Sequence, residues 1–273
     1  MDFKYFKESF ARKKARRVFQ EYPCKKEFFE LEKEGRVEFA NWQNPLVPAK
    51  VISQTEVNFF KKFIPKGSLA IDIGTNVGDT TVPIALAAGK DGLTLGFEPN
   101  PYIFKILTTN ADLNKDKTNI VPLPFAITDN DGEFYYQSSE ASFANGGIST
   151  EPSKYHGSYL LSEKIKGINL EKYLQLNYAD RIEQLSFIKI DTEGYDKEII
   201  RSIQPVLKKY KPAVISECFA KLTEAERADL YNLLAKNGYE LFYFEDFVED
   251  TDVQPIREPK DMMKWKHFNL YAV

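Results

Sequence analysis

The run Leu69-Ala70-Ile71-Asp72-Ile73, followed at once by Gly74-Thr75-Asn76-Val77-Gly78-Asp79, constrains this chain more than any other stretch. The apolar run from Leu69 to Ile73 reads as a short buried strand, interrupted only by a carboxylate and ending in a glycine-spaced turn. Residues 79–88 then read as a helix. A strand, a tight turn and a helix N-terminus in that order make a nucleotide-type cradle. Glycine lets backbone approach a ligand with no side chain in the way, and a helix start presents free N–H groups. Roughly twenty residues on, the spacing of ribose-binding acids in dinucleotide folds, a second apolar run, Leu93 to Phe97, ends in Glu98.

What such a cradle holds is narrowed by what is missing. No Gly-Lys-Ser/Thr follows, so it is not a P-loop. The dinucleotide pattern G-x-G-x-x-G is replaced by Gly74-x-x-x-Gly78 with Asp72 in front. A carboxylate aimed into the turn repels a pyrophosphate and suits an ammonium. S-adenosylmethionine (SAM) carries an ammonium, a sulfonium and a ribose diol but no phosphate, so the two acids match it better than NAD. The alternative is an ordinary βαβ turn with surface acids.

Further segments sharpen this. Gly96-Phe97-Glu98-Pro99-Asn100-Pro101, Ala126-Ile127-Thr128-Asp129-Asn130-Asp131-Gly132, Ile188-Lys189-Ile190-Asp191-Thr192-Glu193-Gly194 and Val214-Ile215-Ser216-Glu217 follow the cradle in order. Together they resemble the FkbM family of SAM-dependent methyltransferases over roughly residues 55–273. The resemblance implies a Rossmann-like class I methyltransferase fold in the α/β class, a mostly parallel seven-stranded sheet, and O-methylation of a sugar or polyketide-type hydroxyl. It puts cofactor contacts at Asp72, Gly74, Asn76, Gly78, Glu98, Pro99 and Asn100, and adenine near Phe125 and Ala126, after the third strand.

Composition sets the outer bounds. Hydrophobic residues make up 43% and charged residues 28% of 273 residues, ordinary for a soluble protein, and the net charge of −3 gives no general argument for nucleic-acid binding. No apolar run reaches membrane-spanning length. Met1-Asp2-Phe3-Lys4 lacks the apolar core of a signal peptide, and Cys24 and Cys218, far apart, read as free thiols in a reducing, cytoplasmic setting. The chain divides into a basic, mostly helical extension, 1–54, and a methyltransferase domain, 55–273. In the extension Phe3, Phe6 and Phe10 recur at helical spacing among Lys and Arg. That face either docks on the domain or gives residues 1–20 a weak contact with a membrane surface, an anionic glycan or a partner. Asn41 to Pro48 reads as a linker. Downstream, strands and helices alternate, with the third strand over 119–125 and a helix from 195 to 209, and an antiparallel hairpin (239–244 with 268–273) closes the sheet. Residues 138–163 read as a long loop, suited to shaping acceptor choice together with the extension.

Ligands of open α/β sheets lie beyond the carboxyl ends of the strands. Acids stand at four such ends: Asp72, Glu98, Asp191 with Glu193, and Glu217. The first two are assigned to the cofactor; Asp191, Glu193 and Glu217 are assigned to the acceptor side. Lys189, out of phase with Ile188 and Ile190, needs a partner and either reaches the acceptor or pairs with an acid. Methyl transfer requires alignment of a hydroxyl and removal of its proton. A carboxylate acting as base can do this, as can a divalent ion, Mg²⁺ by preference, held by Asp191 and Glu217. Purely structural roles for these acids are the third reading. His156, in the long loop, and His267, opening the last strand, read as solvated and structural. Two rival functions remain: an NAD-type Rossmann oxidoreductase and a non-catalytic SAM-binding interaction module.

Overall fold

In a computed structural model, which describes residues 3–152, 159–192 and 194–273, helix α1 (Phe3–Arg17) leads to strands β1 (Cys24–Leu31) and β2 (Gly35–Trp42) and helix α2 (Gln54–Lys61). Strand and helix then alternate through β3 (Leu69–Ile73), α3 (Thr81–Ala88), β4 (Leu93–Phe97), α4 (Pro101–Leu113) and β5 (Ile120–Leu123). Short strands follow: β6 (Phe125–Ile127), β7 (Gly132–Ser138), β8 (Gly147–Ser149), β9 (Tyr159–Leu160) and β10 (Ile165–Ile168). Alternation resumes with α5 (Leu170–Asn177), β11 (Leu185–Ile190), α6 (Asp196–Ser202), α7 (Gln204–Tyr210), β12 (Ala213–Cys218) and α8 (Glu224–Ala235). Strands β13 (Leu241–Phe244), β14 (Val253–Ile256) and β15 (Phe268–Ala272) close the chain. No described helix is long and apolar enough to cross a membrane.

The main sheet runs β14-β13-β15-β12-β11-β3-β4-β5. Strands β5, β4, β3, β11 and β12 are parallel, and β15 lies antiparallel between β12 and β13. The order reverses between β3 and β11, the switch point where open α/β sheets bind ligands. This is the class I methyltransferase arrangement, with β14 added at the edge as an eighth strand. The terminal antiparallel pair is present, but β15 inserts between β12 and β13, and the long connection carries β14.

Both faces of the central strands are covered, which is why they read as near-continuous apolar runs. Leu69, Ile71 and Ile73 share one core with Leu95, Phe97, Ile188 and Ile190. Ala70, Phe187 and Ile215 face the other way, against Phe59 and Phe60 of α2 and Ile84, Ala87 and Ala88 of α3. By the period of two, Asp72 and Lys189 fall on this second face, and the register sets them side by side.

Three elements depart from expectation for identifiable reasons. The third strand, expected over 119–125, ends at Leu123; Pro124 offers no N–H to continue the ladder, and Phe125–Ile127 joins a second sheet, β6-β10-β7-β8, to which β9 adds through β7. The helix expected from 195 to 209 is broken between α6 and α7 around Pro205. The 1–54 segment is not mostly helical: β1 and β2 form an antiparallel hairpin whose Val37, Phe39 and Trp42 share a core with Val77, Val82 and Ile103.

The stretch expected to be a linker is likewise fixed. Asn41 is buried; its Nδ2 donates to the Lys50 carbonyl at 2.9 Å and its Oδ1 accepts from the Lys50 amide at 2.6 Å. On helix α1, Phe6 and Phe10 are 54% and 71% exposed. Its last turn docks: Ala15 is buried, and the Ala15 and Arg16 carbonyls accept from the Ser142 and Ala141 amides, both at 3.1 Å.

Gly74 sits at φ +78°, and a Cβ there would lie 1.9 Å from the Asp191 carbonyl oxygen, whereas a Cβ at Gly35, φ +68°, meets nothing within 4 Å. Gly74→Ala adds a backbone clash to left-handed strain and is expected to cost about 2–5 kcal/mol. Gly35→Ala carries the conformational cost alone, about 1–2 kcal/mol. Denaturant midpoints compare the two; equal losses would mean that close strand approach does not constrain residue 74.

Candidate active site

A cavity of about 510 Å³ opens at the carboxyl ends of β3, β4 and β11. Its floor is the β3–α3 turn, with Gly74, Thr75 and Asn76 on the wall. The turn is held from within: the Gly74 and Thr75 amides donate to the Phe97 carbonyl at 3.0 and 3.2 Å, and Gly78 donates to Thr75 at 2.9 Å. Asn76, itself left-handed at φ 50°, donates its amide to Glu98 Oε2 at 3.0 Å. The cradle therefore keeps few free N–H groups for an anion, in line with the missing phosphate motifs.

Glu98 is buried yet lines the cavity. Oε1 accepts from the Asn100 amide at 2.9 Å, leaving each oxygen one protein donor and room for another. Burial pushes its carboxyl up to about 8, against the pull of those two amides. Pro99, Phe125 and Ala126 continue the same wall, joined by Ile127, Tyr195 and Ile199.

At the switch point the charges interlock. Lys189 Nζ lies 3.5 Å from Asp72 Oδ1 and 3.3 Å from Asp191 Oδ2, with its side chain 3% exposed. Burial alone lowers an ammonium, but Asp72, Asp191 and Asp79 overrule it and the net direction is up. Asp72 Oδ2 accepts from Thr80 Oγ1 at 3.1 Å and Thr81 Oγ1 at 2.7 Å. Asp72 is fully buried and is not among the cavity-lining residues, whereas Asp191, with 41% of its side chain exposed, lines the cavity. The turn after Asp191 is organised by Asp196, whose Oδ2 accepts from Thr192 Oγ1 at 2.9 Å, the Thr192 amide at 3.2 Å and the Gly194 amide at 3.4 Å. Its Oδ1 reaches β12 through the Glu217 amide at 3.3 Å.

The remaining walls come from segments far away in sequence. Lys50, delivered by the Asn41 clamp, meets Asp79 at 2.5 Å, and both line the cavity with Thr80. Tyr136 of β7 and Asn145, Gly146, Gly147 and Ile148 cover another side.

The family described as "Methyltransferase FkbM domain" matches residues 72–241. The chain belongs to the FkbM family of SAM-dependent methyltransferases. A hexuronic acid methyltransferase, AglP of Haloferax volcanii, is 25% identical over 139 residues, and the chain spans about half the length of this curated relative, as the match spans half of the chain. Among solved structures, methyltransferase FkbM from Methylobacillus flagellatus superposes with a TM-score of 0.45 at 14% identity, covering 81% of this chain and 51% of that one. An O-methyltransferase from Bacillus cereus, solved with SAH, gives 0.44 at 15% identity and 84% of each chain.

Of the residues singled out in sequence, Gly74, Asn76, Glu98, Pro99, Phe125, Ala126, Lys189 and Asp191 are brought to one cavity. Gly78, Asn100, Asp72 and Glu217 are not on its wall. Asn100 caps α4 through the Tyr102 amide at 3.0 Å and donates to the Phe143 carbonyl at 2.8 Å. Glu193 and His156 lie outside the described residues. Glu217 Oε1 is engaged by His267 Nε2 at 2.6 Å, and burial followed by Asp191 raises its carboxyl. Among the described residues no group of three or more His, Cys, Asp and Glu side chains could hold a metal ion. Of the pair expected to hold Mg²⁺, Asp191 lines the cavity, while Glu217 is engaged by His267 and does not. Lys50, Tyr136 and Asn145 had no sequence signal as site residues, whereas Asp79, closing the cradle motif, could have been found.

Asp196 was also missed, and it gives the site a pH signature. Burial and the nearby Asp191 carboxylate push its carboxyl up to about 7 from an ordinary 3.8. The folded state thus holds the proton more tightly than the unfolded chain. Stability from this group is highest below about pH 4, falls as pH rises towards 7 and is level above it. Asp196→Asn is expected to give a melting temperature that declines less between pH 4.5 and about 7.5 than the parent's. Parallel profiles for the two proteins would refute the raised value.

Proposed function

We propose that the protein transfers the methyl group of SAM to a hydroxyl of a glycan or glycosylated metabolite. One observation carries this: a buried carboxylate, Glu98, and an accessible one, Asp191, occupy the walls of the same cavity. The first suits a ribose diol, since each oxygen keeps accepting capacity. The second suits a hydroxyl that must lose its proton. The apolar wall of Phe125, Ala126 and Ile127 suits adenine.

The methionine end is reassigned. Asp72 is spent on Lys189, Thr80 and Thr81, so the ammonium falls to Asp79 and the carboxylate to Lys50. An ion pair on a cavity wall matches a zwitterion by exchange of partners, each charge keeping an opposite neighbour. Bound SAM supplies an electrophilic methyl group. Asp191 takes the hydroxyl proton, Lys189 fixes the orientation of Asp191, and Tyr136 with residues 145–148 helps to keep water from the reacting atoms. The sugar-type acceptor is inferred from the hexuronic acid methyltransferase relative.

Calorimetry with SAM and its demethylated product tests the cofactor half. Glu98→Ala is expected to weaken binding by about 1.5–3 kcal/mol, and Lys50→Ala by a comparable amount; parental affinity in both variants would sink the assignment. For the chemical step, Asp191→Asn is expected to lower kcat about 10²-fold or more with SAM affinity little changed. Turnover is expected to persist in EDTA. Parental kcat in Asp191→Asn would leave the acid a purely structural role.

A further inference from the structure

Beside the cavity lies a second hollow of about 240 Å³, sharing with it Asn145, Gly146, Gly147 and Thr192. Its own walls are Ser139, Phe219 and Lys221. Phe219 packs against Gly194, where an added Cβ would come 3.1 Å from the ring's Cδ1, and meets the His267 ring edge-on at 5.6 Å. Lys221 Nζ stands 5.9 Å from the Phe219 ring centroid. The lysines of the main cavity are both committed, Lys50 to Asp79 and Lys189 to Asp72 and Asp191. Lys221 has no carboxylate partner among the described residues and is exposed at the mouth.

These features match one kind of ligand. A pyranose has a C–H face that packs on an aromatic ring and a rim of hydroxyls for amides and hydroxyls such as Asn145, Ser139 and Thr192. Lys189 is held by Asp191 and His267 by Glu217, so Lys221 is the cation of this wall left for an anionic sugar. A single ammonium balances one carboxylate; a phosphate monoester carries nearly two charges and calls for more donors. We infer that this hollow is the acceptor subsite and binds a uronic acid, its ring against Phe219 and its carboxylate on Lys221 Nζ, with a ring hydroxyl presented to Asp191. The inference rests on the methyl-transfer reading above and adds the charge class of the acceptor and the residue that selects it.

The test is an NMR titration of the full chain saturated with the demethylated cofactor, using methyl glucuronide, methyl glucoside and glucose 6-phosphate. The glucuronide is expected to bind about tenfold or more tightly than the glucoside, the usual yield of one charged hydrogen bond. Lys221→Ala should abolish that preference and Lys221→Arg retain most of it, with affinity for the demethylated cofactor unchanged in both. Lys221 is exposed, so both variants are expected to fold. Equal binding of the two glycosides by the parent protein, a preference that survives Lys221→Ala, tighter binding of the phosphate, or no sugar binding at all would each overturn the subsite. Failure of the demethylated cofactor to bind the parent protein is a separate result that removes the methyl-transfer reading itself.

Discussion

The ammonium of Lys189, buried between Asp72 and Asp191, is the interaction on which the site depends. A lone charge in a sheet interior is costly, and removing one partner of a buried pair typically costs about 3–5 kcal/mol. Here the cation is shared across the switch point, where β3 and β11 run side by side with Lys189 and Asp72 in register. Asp72 passes the constraint on to the start of α3 through Thr80 and Thr81. Asp191 passes it to the cavity wall. The same contact that ties two strands together therefore also aims the accessible carboxylate, so on the proposed reading stability and chemistry cannot be varied independently here.

Much of the central fold was legible because it rests on local rules. The runs at 69–73, 93–97 and 185–190 are apolar on both faces apart from Asp72, Thr94, Ser186 and Lys189, and are bounded by glycine, carboxylate or turn residues, so their limits stand in the sequence. The β1–β2 hairpin was hidden for the opposite reason. Its outer strand mixes Lys25, Lys26, Glu27 and Glu30 with Phe28 and Phe29, and no Asn-Gly or Asp-Gly turn announces it. Its place is set by distant partners: Asn110 of α4 and Asn114, which follows the helix's last turn, trade hydrogen bonds with the backbone of Ala40 and Glu38, taking the role of a neighbouring strand.

The role of Asp72 shows where motif reading runs out. Its position before the glycine turn was right for a ligand, and its chemistry was right for an ammonium. What decided its fate was the residue opposite on another strand, over a hundred positions later, and sequence distance does not reveal register. Asp79, at the end of the same motif, reaches the cavity because the turn has by then brought the chain round. Lys50 arrives by a longer route, through a buried asparagine that clamps its backbone.

The charges around the cavity also bear on the direction of the proposed reaction. Lys50 and Lys189 face Asp72, Asp79 and Asp191, an excess of one negative charge before Glu98 is counted. Glu98 has no cationic partner, and burial holds its carboxyl near 8, so at neutral pH it adds little charge until a ligand with hydroxyl donors stabilises the ionised form. SAM carries one positive charge more than its demethylated product, because the sulfonium becomes a neutral thioether. That excess of negative charge, part on the wall and part behind it at Asp72, holds the sulfonium more tightly than the thioether. On the proposed reading the same electrostatics that gather the donor weaken the hold on the spent cofactor, with no moving part required.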